Sequence, residues 1–162
     1  MQVEEVSGLL NSNLPPGIQI NGASVMEGKF PSLQQTVTSC LWDITVNEDD
    51  TTVDSWLDRI ESENEIVLRR ERKGKEVIDD IKPLVYLVRR KNKKIDGRVT
   101  VQAELGTQPR SLRPSELLRS LEPHLSEYKL YRRKQIVEEG GQRLDPLEVA
   151  GATQMRSLVG AL

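Results

Sequence analysis

The residues able to do covalent or metal chemistry are few. The chain of 162 residues holds one cysteine, Cys40, and one histidine, His124. A Cys-based zinc or iron–sulfur site draws several thiolates from one chain. Neither is self-contained here, no internal disulfide forms, and no cofactor is expected. A Ser-His-Asp triad would rest on His124 alone. That residue sits in "EPHLSE" at an expected helix end, where an imidazole more often serves the last carbonyls than acts as a base. Cys40 falls on the apolar side of an expected strand and reads as a small buried hydrophobe. Trp42 and Trp56 are spaced to meet across a strand–helix interface, as core. The sequence has no GxxxxGK[ST], GxGxxG or HExxH pattern. "NEDDTTVD" at 47–54 lacks the glycine and terminal Glu of a calcium loop. It reads as a solvated loop with acids near a helix start.

Charge is the stronger signal. A net charge of −2 hides an acidic front, −10 over residues 1–65, and a basic middle, +7 over residues 66–98. In "VLRRERKGKEVIDDIKPLVYLVRRKNKK" at 67–94, strand alternation sends Arg70, Arg72 and Lys75 to one side and Arg69 and Lys73 to the other. Arg89, Arg90, Lys91, Lys93 and Lys94 cluster at the tip of the next arm. Arg132, Arg133 and Lys134 lie on the last strand, so strand ends of a common sheet can merge into one patch. Such a patch binds phosphates by counterion release. Tyr86 is the only aromatic within residues 67–94, and no RNP-type motif is present. A nucleic-acid surface, a partner interface and a solvated, edge-protecting face all remain open.

The elements that must position these residues follow from periodicity. Val3, Val6, Leu9 and Leu10 predict a helix over 3–12, stopped by "NLPPG", and "IQINGASVM" predicts a short strand. "TSCLWDITV" alternates as a half-buried strand. Val53, Trp56, Leu57 and Ile60 make one helical stripe, capped by Thr51 or Thr52. "EIVLRRERK" is the next strand, with Gly74 in a tight turn. Residues 77–90 form a returning strand interrupted at Pro83, with a turn at Asp96-Gly97. "RVTVQAEL" alternates again. "SLRPSELLRSLEPHL" is a helix with Pro114 in its first turn, a Leu112–Leu117 staple and Leu117, Leu118, Leu121 and Leu125 buried. "YKLYRRKQIV" is the last strand.

The expected fold is α+β, a ferredoxin-like βαββαβ sandwich with an extra hairpin arm and an N-terminal helix–strand extension. Its parts are an appendage at 1–36, the sandwich at 37–138 and a flexible tail at 139–162. No apolar run approaches the ~20 residues that span a bilayer, and the first residues do not resemble a secretory signal. The expected compartment is the cytoplasm.

Four segments, "LLNSNLPPGIQI" at 9–20, "FPSLQQTV" at 30–37, "RKGKEVIDDIKPLV" at 72–85 and "SLRPSELLRSL" at 111–121, carry a family likeness. In order and spacing they resemble a bacterial domain of unknown function linked to radical S-adenosylmethionine proteins. The likeness covers roughly residues 3 to 145. In that family the domain stands alone or follows a cobalamin-binding, radical S-adenosylmethionine catalytic region. The resemblance therefore implies an accessory role, with such a region as partner in cis or in trans. The CxxxCxxC cluster ligands and a DxHxxG cobalamin motif are absent, so this polypeptide is not expected to be catalytic alone. The family pattern begins further upstream, so Met1 is expected to start a fragment. Arg72, Lys73, Asp80, Lys82 and Pro83 match the family loop and following segment. Arg113, Pro114 and Glu116 match its helix start, where Arg113 either offers a guanidinium to phosphate or simply directs the chain into the helix.

The expected function is that of a non-catalytic accessory domain recognising RNA or another anionic partner through its basic arm. The candidate residues are Arg69, Arg70, Arg72, Lys73, Lys75, Arg89, Arg90 and Arg113. The alternative is a protein docking domain for a radical S-adenosylmethionine enzyme, with no nucleic-acid role.

Overall fold

The computed structural model describes residues 2–26, 28–29 and 31–149. Two compact units divide the chain. One spans Val37–Ile136, and the other joins the residues up to Thr36 with those from Val137 onward.

In the unit Val37–Ile136, the alternating apolar run forms strand β1 (Ser39–Val46). Helix α3 (Asp50–Ser62) follows, the third helix among the described residues. Asp49, not either threonine, caps it: its carboxylate accepts from the Thr52 N–H at 2.9 Å, satisfying an otherwise orphaned donor. The expected stripe is its buried face, with Val53, Trp56 and Ile60 enclosed. Strands β2 (Val67–Arg72) and β3 (Lys75–Asp80) then pair only with each other as a separate two-stranded ribbon. Lys73 and Gly74, at φ 52° and 72°, make its turn, a pair of left-handed residues that suits a tight hairpin. A 3-10 turn at Lys82–Leu84 absorbs Pro83, and β4 (Val85–Arg90) and β5 (Thr100–Gly106) follow.

The order along the main sheet is β4-β5-β1-β6, every pair antiparallel, where β6 is Glu127–Glu139. This exchanges two expected roles. The second strand of the sheet is β4, not residues 65–73, and the extra hairpin is residues 67–80, not 77–95. The reason is apolar content. Val85 and Val88 of β4 pack on the core, whereas β2 carries four charged residues in six and cannot fill a sheet position flanked by helices.

One face of the sheet is apolar. Ile44 and Val46, with Val101, Ala103 and Leu105, form a common core with Val53, Trp56 and Ile60 of α3 and with Leu112, Leu117, Leu118 and Leu125. Full burial of each aliphatic or aromatic side chain contributes about 1.5–3 kcal/mol. Helix α4 (Pro114–Leu118) is shorter than expected. The chain turns off after Leu118, whose carbonyl accepts from the Leu125 N–H at 3.0 Å, and Leu121 is only partly buried.

In the other unit, α1 (Val3–Asn11) forms where the pattern places it. The strand expected at 18–26 does not form: no strand is assigned to that stretch. Asn11 takes the place of a strand partner. Its amide donates to the Ile20 carbonyl at 2.9 Å and accepts from the Ile20 N–H at 2.7 Å, satisfying both backbone groups without a second strand. A short α2 (Leu33–Thr36) follows. At the far end, β7 (Gln142–Leu144) pairs with Val137–Glu139, across Gly140 and Gly141 at φ 58° and 76°. Residues 150–162, most of the expected tail, lie outside the described residues. The whole is α+β, and no helix among the described residues is long and apolar enough to cross a membrane.

Candidate nucleic-acid interface

The face of the sheet away from the core is polar, and it is organised around Asp43. Alternation was expected to leave Asp43 and Thr45 half in solvent. Instead both are buried, at 4% and 1% exposure. Thr45 and Thr100 share a hydrogen bond at 3.0 Å, and Ser39 donates to Glu104 at 2.7 Å. Lys91 and Arg133 reach over Asp43.

A polar row crosses four strands in register. Arg89 of β4 lies opposite Gln102 of β5, which lies opposite Asp43 of β1, which lies opposite Tyr131 of β6. Arg89 donates to Gln102 Oε1 from Nε and a terminal nitrogen at 3.0 and 2.6 Å. Gln102 Nε2 donates to Asp43 Oδ1 at 3.2 Å. Asp43 Oδ2 accepts from Lys91 Nζ at 2.9 Å and Arg133 Nε at 2.7 Å. Burial pushes the Asp43 carboxyl up, but the hydrogen bonds from Lys91, Arg133 and Gln102 outweigh it and hold it below the usual carboxylate range. The Arg133 guanidinium also lies over the Tyr131 ring, 4.8 Å from its centroid.

The charge is layered in depth. The carboxylates of Asp43 and Glu104 are buried, while Arg89, Lys129, Tyr131, Arg133 and Lys134 are exposed. Tyr131 is 55% exposed. A bulge in β6 concentrates the cations. Leu41 opposes Lys134 and Trp42 opposes Arg132, so Arg133 is an additional residue in the ladder. Lys134, opposite Leu41, and Arg133, bonded to Asp43, therefore serve one face although adjacent in sequence.

The expected candidates are not gathered into one patch. Arg90 faces the core side of the sheet and pairs with Asp50 and Asp54 of α3, and Lys94 pairs with Asp50 at 2.6 Å. Those hydrogen bonds from Lys94 and Arg90 lower the Asp50 carboxyl. Arg70 is tied to Asp79 at 2.6 Å. Asp79 also accepts from Arg110, which reaches Glu116 at 3.1 Å, fastening the ribbon beside α4. Arg69 stands 3.6 Å from Glu76 with both exposed. Arg72, Lys73 and Lys75 are exposed at the ribbon tip, with no carboxylate partner among the described residues. Arg113 is the N-cap residue of α4, its side chain exposed. Only Arg89 joins the polar row.

His124 is exposed beyond α4, its Nε2 3.2 Å from Glu122 Oε1. Cys40 is buried, and that burial raises its thiol while Arg132 opposes the shift. Among the described residues no three His, Cys, Asp or Glu side chains gather as metal ligands. The sequence reading missed Lys129 and Tyr131. Their signal was "YKLYRRK" at 128–134, in which aromatics and cations interleave.

Mixed helices and antiparallel sheet, with a cationic sheet face over buried carboxylates, define an α+β domain. The chain belongs to a bacterial family described as an uncharacterized protein conserved in bacteria (DUF2344), whose pattern matches residues 1–114. The match ends at the first residue of α4, so β6 lies beyond it. No curated protein and no solved structure matches the chain.

Proposed function

We propose that this chain is a non-catalytic accessory domain that binds single-stranded RNA across the polar sheet face. The observation that carries the reading is the exposed Tyr131 ring flanked by Lys129, Arg133 and Lys134. An aromatic platform with surrounding cations suits a base and its phosphates. The sheet order β4-β5-β1-β6, with α3 after β1 and α4 after β5, supports the finer reading of a ferredoxin-like sandwich. The likeness of the quoted motifs to a domain linked to radical S-adenosylmethionine proteins supports a catalytic partner of that kind, in cis or in trans. An RNA partner implies a cytoplasmic place of action.

Fluorescence anisotropy with a short single-stranded RNA tests this. Binding is expected to fall by at least tenfold between ~50 and ~200 mM salt, as several phosphate contacts require. Tyr131→Ala is expected to weaken it by roughly 1–3 kcal/mol, the usual worth of one stacked base. Salt-insensitive binding, or full affinity in Tyr131→Ala, overturns the assignment of this face.

A second reading has its own observation. Val67 and Ile78 are 46% and 59% exposed on the same outer face of the ribbon, which suits a protein partner more than a solvated hairpin. On that reading the domain docks a radical S-adenosylmethionine enzyme and takes no RNA. Val67→Lys with Ile78→Lys would abolish the complex and leave any RNA affinity intact.

A further inference from the structure

The other side of the sheet carries a cavity that the RNA reading does not use. Because α4 stops after five residues, the core-side surface of β1 and β6 is left partly uncovered beside it. A cavity of about 340 Å³ opens there, at the lower end of the ~300–1,000 Å³ typical of small-ligand sites. Its apolar walls include Trp42, Leu112 and Leu130, and Arg113 and Arg132 also line it. Neither guanidinium has a carboxylate partner among the described residues. Arg132 stands over Trp42 at 5.9 Å from the ring centroid, the outer limit of a cation–π contact, so it does not seal the indole face. Glu127 also lines the cavity, and its carboxylate can accept from a donor group of a ligand.

We propose that this cavity binds a nucleoside 5′-monophosphate, its base on the Trp42 indole and its phosphate on Arg113 and Arg132. The fit is one of charge and shape. Two guanidinium forks recognise a phosphate bidentately, and a flat aromatic wall takes a base. A carboxylate accepts from an exocyclic amine or a ribose hydroxyl. A fatty acyl chain would leave Glu127 facing hydrocarbon, and a bare phosphate would leave the indole unused.

Trp42 supplies the readout. It is the only partly exposed tryptophan, since Trp56 is 0% exposed. Titration with adenosine 5′-monophosphate is expected to quench Trp42 fluorescence saturably, with Kd below about 1 mM. Adenosine alone and inorganic phosphate alone should each bind at least ~10-fold more weakly, having lost the charge-assisted or the stacking half of the contact. Arg113→Ala and Arg132→Ala should each weaken the mononucleotide about tenfold, the loss expected for one charge-assisted pair. Arg113 is exposed, so its replacement leaves the fold intact, and far-UV circular dichroism checks this for both variants. Calorimetry with Trp42→Phe should still detect binding after the optical signal is gone. No heat and no quench at ~10 mM mononucleotide, weaker than any useful site, overturns the proposal. So does equal affinity for adenosine and its monophosphate, or unchanged affinity in both arginine variants.

Discussion

Arg133 Nε donates to Asp43 Oδ2 at 2.7 Å, linking β6 to a carboxylate that is 4% exposed on β1. Lys91 completes the pair from the end of β4, so one buried anion is shared between cations from the two flanks of the sheet. Both cations keep part of their surface in water, which moderates the worth of each pair.

Asp43→Asn removes the anion and leaves Lys91 and Arg133 facing one another. A loss of roughly 1–3 kcal/mol is expected in urea unfolding at pH 7, below the full cost of breaking a wholly buried pair. The sign with pH is definite. A carboxyl lowered in the folded state adds stability above its unfolded value of about 3.9, and this is lost as pH falls through the folded value. Unfolding curves from pH 7 to 3 should therefore fall less steeply for the variant.

Trp56 fills the core at 0% exposure, yet among the described residues no group accepts from its Nε1–H. Trp56→Phe trades lost volume against removal of that buried donor, and about 1–2 kcal/mol is expected. Trp56→Ala leaves a cavity and should cost about 3–5 kcal/mol. Equal losses in the two variants, read by thermal unfolding, would mean that the indole volume is not what matters.

Arg110 holds the ribbon through Asp79 while also bonding Glu116. Hydrogen bonds from Arg70, with the nearby Arg110 charge, lower the Asp79 carboxyl. Arg110→Ala should raise tryptic cleavage at Arg72, Lys73 and Lys75 several-fold while changing global stability by only about 1–2 kcal/mol, the scale of charge-assisted hydrogen bonds. Cleavage confined to other sites would show that the ribbon does not depend on this clamp.

Cys40 combines burial with a raised thiol pKa, and the thiolate is the reactive form. Iodoacetamide at pH 7.5 should label it much more slowly in the native protein, where it lines the cavity beside Trp42 with its thiol held protonated, than in urea. Rapid native labelling would contradict the burial described for this strand.

The stripe Val53, Trp56, Leu57 and Ile60, the Asp96-Gly97 turn and the alternation of "RVTVQAEL" were legible because each is a local period or turn code. Asp96 and Gly97 sit at φ 50° and 71°. Strand partnership was not local, and so residues 67–73 and 85–90 were expected in each other's places. The burial of Asp43 was hidden for a related reason. A carboxylate in an alternating strand reads as solvent-facing until Lys91 and Arg133, 48 and 90 positions away, are known to lie above it. The candidate interface was the least legible, because the longest basic run is at 67–94 whereas Tyr131 stands among the cations of a later strand, "YKLYRRK".

The bulge at Arg133 has a genetic corollary. Residues on its two sides obey opposite parities, with Tyr131 on one count and Lys134 on the next. Deleting the Arg133 codon would restore strict alternation and leave Lys134 and the buried Ile136 on the faces they already hold, because Arg133 is the spare residue of the ladder. A one-codon deletion at Leu130, which pairs in register with Ile44, has no spare residue to absorb it and would turn everything on one side of it through half a rotation. The run "YRRK" is therefore a place where β6 can lose a residue without exchanging its faces, at the expense of the guanidinium over Asp43.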